Sequence, residues 1–270
     1  MATISQIIFY SMVTLIVLFA ALIILILALA FSKSTSKVMS SNTKPVANLG
    51  KDELLSCYLP TQVQQRLSDV SVTWEKKGLK VYQYENGAPA LQGQASEFRG
   101  RAQLFSDAVA TGNASLLLQS VRSSDEGEYT CSISSSAGRG KVNIQLRVAV
   151  YSAATFRFSN GTLTAEASRW FPKPNVTWMH QTGIVLNATT NLTTSSAGIF
   201  SIISTLNADQ SSDTYSCRIE NNLVTAIAEA TITGADVSGG TYFAFSVAST
   251  LFASVYLNTM TSLLCTYYTT

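Results

Sequence analysis

The amino-acid sequence predicts an all-β protein of two tandem β-sandwiches with an apolar helical segment at each terminus. Three features predict it. First, Cys57 and Cys131 lie 74 positions apart, Trp74 follows Cys57 by 17, and Tyr129 precedes Cys131 by two in the run Asp125-x-Gly127-x-Tyr129-x-Cys131. A disulfide joining two sheets, a Trp packed on it and a Tyr just before the second Cys form the frame of a two-sheet sandwich. Second, the frame returns in part as Trp178 and Tyr215-x-Cys217, with Ala165 where the first Cys would stand. Third, the stretches 7–31 and 241–270 carry no charged residue.

A chain of 270 residues has room for two domains of about 100 residues each. Only 13% of residues are charged and the net charge is +2, so no basic block marks a nucleic-acid partner. Four Cys without a CxxC pair argue against a zinc or redox centre, and no cofactor or metal is expected. His180 is the only His, and no nucleophile–base–acid spacing surrounds it, so the chain is not expected to be an enzyme.

Residues 1–30 read as a secretory signal peptide, because the apolar run ends in Ala28-Leu29-Ala30, a small-x-small cleavage pattern. The competing reading is an uncleaved anchor, since 25 uncharged residues can span a bilayer. Lys33 and Lys37 would then hold the downstream chain in the cytosol, against the glycosylation sites described below. A short linker, 31–43, leads into the first sandwich.

The first sandwich, 44–149, is built from short alternating runs bounded by turn residues. They are Glu53 to Leu59, Val70 to Lys76, Val81 to Glu85, Arg101 to Phe105, Ala114 to Val121, Glu128 to Ser134 and Lys141 to Val150. Asn86-Gly87 is a hairpin turn signal. Extra strands between Trp74 and Arg101 mark a variable-type immunoglobulin domain. Closing the long Cys57–Cys131 loop restricts the unfolded chain by about 4 to 5 kcal/mol. The Tyr129 hydroxyl is expected to turn back onto the chain near Asp125, and Asp125 to pair with Arg101. The alternative for that pair is an exposed ion pair of little worth. Tyr82 and Tyr84 share one face of an extra strand and are the candidate receptor face; alternatively they cover the edge of the core. Arg139, in the stretch 134–140 where an antibody places its third binding loop, is a candidate contact for an acidic partner or a solvated turn.

The second sandwich, 150–234, has strand signals at Phe156 to Phe158, Leu163 to Ala167, Val176 to Met179, Phe200 to Leu206, Thr214 to Glu220 and Ala226 to Thr233. Trp178 and Cys217 are only 39 positions apart, which leaves no space for extra strands and makes the domain constant-type. Trp178 and Tyr215 are its expected core markers, and Pro172 and Pro174 force an extended turn. Cys217 and Cys265 are expected to be unpaired. Asn113, Asn160, Asn175, Asn187 and Asn191 each open an Asn-x-Ser/Thr sequon, which predicts N-linked glycans and an extracellular ectodomain. A disulfide needs the same oxidising compartment. Residues 235–240 read as a stalk, 241–264 as a transmembrane helix or a lipid-anchor signal, and 265–270 as a short tail. The expected topology is single-pass type I at the cell membrane, or a lipid anchor. With so little chain beyond either anchor, signalling is expected to run outward only.

The run Arg169-Trp170-Phe171-Pro172-Lys173-Pro174-x-Val176-x-Trp178, the variable-type then constant-type order and the membrane end together resemble the butyrophilin-like family of costimulatory and coinhibitory ligands displayed to T cells. Glu97-Phe98-Arg99-Gly100-Arg101, Gly112-Asn113-Ala114-Ser115-Leu116 and Tyr215-Ser216-Cys217-x-Ile219-Glu220-Asn221 are similar to a coinhibitory member of that family. So is an N-terminus beginning Met1-Ala2 with Gln6-Ile7 before the apolar run. The resemblance covers residues 1 to about 233. It implies a cell-surface ligand that lowers T-cell activation by binding a receptor protein on T cells through its variable-type domain. The residues alone imply a glycosylated two-domain surface protein, for which adhesion or homotypic recognition is the competing function. The family pattern Leu-x-Cys-Glu-Ala appears as Leu163-Thr164-Ala165-Glu166-Ala167. The bridge missing there is typically worth about 2 to 5 kcal/mol.

Overall fold

The computed structural model describes residues 4–31, 38–60, 64–208 and 213–246. The first element is the helix α1 (Ile4–Phe31), 28 residues without a charge. Its side chains are described over 11–26, where all are exposed. The choice between leader and anchor stays where the sequence leaves it.

The first sandwich comprises β1 (Val46–Asn48), β2 (Glu53–Leu55), β3 (Ser71–Lys76), β4 (Leu79–Glu85), β5 (Ala88–Pro89), β6 (Ala102–Leu104), β7 (Leu116–Leu118), β8 (Gly127–Ser135) and β9 (Gly138–Ala149). One sheet has the order β1-β9-β8-β3-β4-β5 and the other β2-β7-β6. β4 and β5 are the extra strands of a variable-type domain, turned at Asn86-Gly87, where both residues have positive φ. Cys57 and Cys131 form the disulfide, Cα to Cα 6.5 Å, fully buried. Trp74 stands opposite Cys131 in the sheet and donates its indole N–H across the core to the Ala114 carbonyl at 2.9 Å. The Tyr129 hydroxyl donates to the Asp125 carbonyl at 2.9 Å.

The Arg101–Asp125 pair is buried. Nη1 and Nη2 of Arg101 donate to Oδ2 and Oδ1 of Asp125, each at 2.9 Å. The guanidinium also donates to the carbonyls of Glu97, Gln119 and Ser120, and Asp125 Oδ2 accepts the Arg122 amide. Every charge therefore has partners, the condition under which a buried pair is tolerated. Burial works to raise the Asp125 carboxyl, but the Arg101 hydrogen bond and the Arg122 amide hold it below the ordinary carboxylate range. Lys76 joins this cluster, a feature not anticipated from the sequence. It lies in phase with Trp74, so its side chain points inward; Nζ donates to the Ser124 carbonyl and sits 5.5 Å from the Tyr129 ring centroid.

The second sandwich comprises β10 (Thr155–Ser159), β11 (Thr162–Trp170), β12 (Asn175–His180), β13 (Val185–Leu186), β14 (Thr189–Thr194), β15 (Phe200–Asn207), β16 (Thr214–Glu220), β17 (Val224–Thr233) and β18 (Asp236–Phe245). Its sheets run β10-β11-β15-β14 and β13-β12-β16-β17-β18. Ala165 and Cys217 are both buried in the core, Cys217 as a free thiol. Trp178 stands opposite Cys217 and donates its indole N–H to Ser204 Oγ at 2.9 Å; that hydroxyl pairs with Thr190 Oγ1 at 2.7 Å. Trp178 thus reaches the facing sheet where a disulfide does not. Small residues line the neighbouring positions, with Ala228 beside Cys217 and Ser204 beside Ala165.

The C-terminal boundaries expected from the sequence need correction. The stretch read as a stalk, 235–240, and the first residues of the expected membrane segment, up to Phe245, form β18, which pairs with β17 along its whole length. Gly234, at φ +66°, takes the left-handed conformation that turns the chain back. Phe243 and Phe245 then pack on Tyr151, at 5.1 and 5.7 Å between ring centroids. The rest of the expected segment and Cys265 lie outside the described residues. At the junction between the sandwiches residues 150–154 join β9 to β10. Val150, next after β9, exchanges backbone hydrogen bonds with Phe171 at 3.0 and 2.8 Å, and Asn48 Nδ2 donates to the Tyr151 carbonyl at 2.8 Å.

Arg101→Ala leaves the Asp125 charge at a site only 2% exposed, and urea unfolding should report a loss of about 3 to 5 kcal/mol. A loss below about 1 kcal/mol would class the pair with surface ion pairs. Because folded Asp125 titrates below its unfolded counterpart, its contribution is present in full above about pH 4 and disappears as pH falls through the folded value. A pH series of thermal midpoints should show that acid-side loss in the native chain and a shallower one in Asp125→Asn. Burial pushes the Cys217 thiol up to about 12, so a maleimide should label it only after unfolding; labelling of the folded protein would contradict this packing.

Candidate recognition surface

The outward side of the β1-β9-β8-β3-β4-β5 sheet is a broad polar face. Strand alternation sends Val72, Trp74, Tyr129, Cys131 and Ile144 inward and leaves their neighbours outside. Register places Lys141, Ser132, Thr73 and Gln83 in one cross-strand row, and Asn143, Thr130, Glu75 and Lys80 in the next. Hydrogen bonds fix these side chains. Asn143 Nδ2 donates to Glu128 Oε1 at 2.7 Å, and Thr130 Oγ1 bonds Asn143 Oδ1 at 3.1 Å. Lys80 Nζ donates to Gln83 Oε1, and Gln83 Nε2 to Glu85 Oε1. A cleft of about 470 Å³ lies between these three residues and Pro89-Ala90-Leu91, with Leu91 exposed at its rim. Charges of both signs are interspersed, so the face offers directional hydrogen bonds and local charge pairing rather than one strong field.

The structure corrects two expectations here. Tyr82 and Tyr84 are 5% and 1% exposed and belong to the core. They pair across strands with Trp74 and Val72, and residues directly opposite in an antiparallel ladder point to the same face. An inward Trp74 therefore fixes an inward Tyr82 through the register of the ladder. The stretch 134–140 is not an extended binding loop: Ser136 and Ala137 alone connect β8 to β9. Arg139 lies on β9, exposed, opposite Ser134. Gly140 permits the close approach of the chain start, since a Cβ there would lie 3.2 Å from Val38 Cγ2 and 3.3 Å from its amide N.

All five sequon asparagines are exposed. Asn113 sits beside the smaller sheet, its Oδ1 accepting from the amide and hydroxyl of Ser115 at 3.0 and 2.7 Å. Asn160 occupies the turn between β10 and β11, Asn175 begins β12, Asn187 joins β13 to β14, and Asn191 lies on β14. None is on the polar face. His180 is half-buried, its Nε2 3.5 Å from Asp213 Oδ2 and its Nδ1 2.9 Å from Thr182 Oγ1. Among the described residues no group of His, Cys, Asp and Glu is arranged to hold a metal ion.

Comparison with known proteins gives a consistent picture. The family model described as the immunoglobulin V-set domain matches residues 40–149. The model described as the Butyrophilin subfamily 3 member A2-like Ig-C domain matches 153–227. The V-set domain-containing T-cell activation inhibitor 1 of Rattus norvegicus is 33% identical over 248 residues, covering 88% of this chain and 87% of that one. Its Homo sapiens counterpart is 32% identical over the same coverage. The solved human B7-H4 IgV-like domain is 34% identical over 41% of this chain and 96% of its own, with a TM-score of 0.38.

Tyr84 Oη is buried without a hydrogen-bond partner. Tyr84→Phe should therefore keep or raise stability, by about 1 kcal/mol in urea unfolding. A loss of comparable size would show that the hydroxyl is satisfied in solution.

Proposed function

Because the chain belongs to the family of V-set domain-containing T-cell activation inhibitor 1, in the immunoglobulin superfamily, we propose that it is a non-enzymatic cell-surface ligand that lowers T-cell activation. It binds a receptor protein on T cells through the outward face of the first sandwich's larger sheet. The observation that carries this reading is the contrast between that face and the rest of the ectodomain. The face is broad, polar and held by hydrogen bonds, and it bears no sequon, whereas four of the five sequons lie on the second sandwich. N-linked glycans on the exposed asparagines would thus surround the recognition surface without covering it. The first sandwich presents the face and the second raises it from the membrane. In this reading α1 is the secretory leader, and the chain is held at the membrane through its C-terminal apolar stretch, by a helix or a lipid anchor.

Soluble ectodomain should bind activated T cells and reduce their proliferation. Lys141→Glu combined with Asn143→Ala, on the exposed face, should weaken that binding about tenfold or more while leaving the thermal midpoint unchanged. Undiminished binding would place the contact elsewhere. Ectodomain that self-associates in ultracentrifugation and leaves T cells unaffected would instead mark a homotypic adhesion protein.

A further inference from the structure

The outer face of the β10-β11-β15-β14 sheet is polar apart from one residue. Register aligns Thr155, Glu166, Ile203 and Asn191 in a single cross-strand row. Side chains in such a row share a face, and adjacent strands lie about 4.8 Å apart. The flanking pairs are Thr189 with Thr205 and Thr193 with Ser201. Ile203 is 49% exposed in these polar surroundings. Beside it opens a cleft of about 270 Å³, lined in part by Thr155, Glu166, Ser201 and Ile203. Asn191, directly opposite Ile203, is exposed and opens the sequon Asn191-Leu192-Thr193.

We infer that Asn191 carries an N-linked oligosaccharide whose first sugars lie across Ile203 and into this cleft. The inference rests on the extracellular reading above and goes beyond it by naming the occupant of the sheet face. In the modification step, Asn191 Nδ2 attacks the anomeric carbon of a lipid-diphosphate-linked oligosaccharide. The new N–C bond replaces the C–O bond to the diphosphate, the amide gives up a proton, and the lipid diphosphate leaves. An N-acetylhexosamine then meets the chemistry the row offers. Its C–H face and acetyl methyl match Ile203, and its hydroxyls match the Glu166 oxygen that Arg157 does not hold and the Thr155 and Ser201 oxygens, whose own protons go to the Glu166 and Ser168 carbonyls. A bulky sugar rising from the same row also keeps a protein partner off this face. Asn160 and Asn175 serve as comparators. The first sits in a tight turn at φ 49°, and the second stands opposite Glu220, so neither faces an exposed apolar side chain across a ladder.

The test uses the full chain expressed in glycosylating cultured cells. Glycopeptide mass spectrometry reads occupancy, and a time course of peptide-N-glycosidase digestion on the folded protein reads the release rate at each site. Asn191 should be occupied and released about fivefold more slowly than Asn160 and Asn175, as covering roughly 40 Å² of apolar surface would give. Ile203→Thr keeps a β-branched strand residue and should bring the Asn191 rate to that of the comparators while leaving theirs unchanged. An empty Asn191 with Asn160 and Asn175 occupied overturns the inference and leaves the extracellular reading intact. An occupied Asn191 that is released as fast as the others, or at a rate indifferent to Ile203→Thr, overturns the packing. Absence of sugar at every sequon overturns both readings together.

Discussion

In each sandwich a buried indole N–H crosses from one sheet to the other, and the rest of the core is arranged around that crossing. Trp74 reaches the Ala114 carbonyl, and Trp178 reaches Ser204 Oγ. An unpartnered indole N–H costs free energy when buried, so the bond fixes sheet separation and register at once. The Cys57–Cys131 bridge reinforces the first crossing by limiting the unfolded chain. In the second sandwich the crossing stands alone. Ala165 and Cys217 fill their positions with small apolar groups, and the Ser204 hydroxyl is itself held by Thr190. A lost disulfide there removes a constraint on the unfolded state, and the sulfur that remains is a buried free thiol.

Much of this was legible in the sequence because it depended on residues with one dominant physical role. Cys57, Trp74, Asp125, Tyr129 and Cys131 located the sandwich and its buried ion pair. What escaped lay in polar segments. β14 reads Thr189-Thr190-Asn191-Leu192-Thr193-Thr194, an exposed edge strand with one partly buried side chain, and it lacks the apolar alternation that marks a strand. β18 was hidden because Asp236-Val237-Ser238-Gly239-Gly240 reads as a stalk and Tyr242-Phe243-Ala244-Phe245 suits a membrane segment as well as a sheet edge. Tyr82 and Tyr84 were misplaced because period-2 spacing says that residues share a face without saying which one. The register with Trp74 decides it.

The two sandwiches divide the work. The first carries a face whose polar groups are already positioned by their own hydrogen bonds, so a partner meets ordered side chains and less conformational entropy is lost on contact. The second carries most of the sequons and a sheet whose outer surface is polar apart from Ile203. Association with a protein and coverage by sugar place opposite demands on a surface, and in the proposed reading they fall on different sheets, with Asn113 alone among the sequons on the first sandwich.

β9 supplies Arg139, Lys141 and Asn143 to the polar face at one end and passes directly into the junction at the other. There Val150 is bridged to Phe171 and Asn48 is bonded to Tyr151, within the five residues, 150–154, that join β9 to β10. A load applied to the face is carried along the axis of a single strand and into the five residues that join it to β10. Under the proposed C-terminal tether, tension drawn on the face would reach the second sandwich through this short segment, so bond lifetime would depend on how the Val150–Phe171 bridge shears as well as on the affinity of the face.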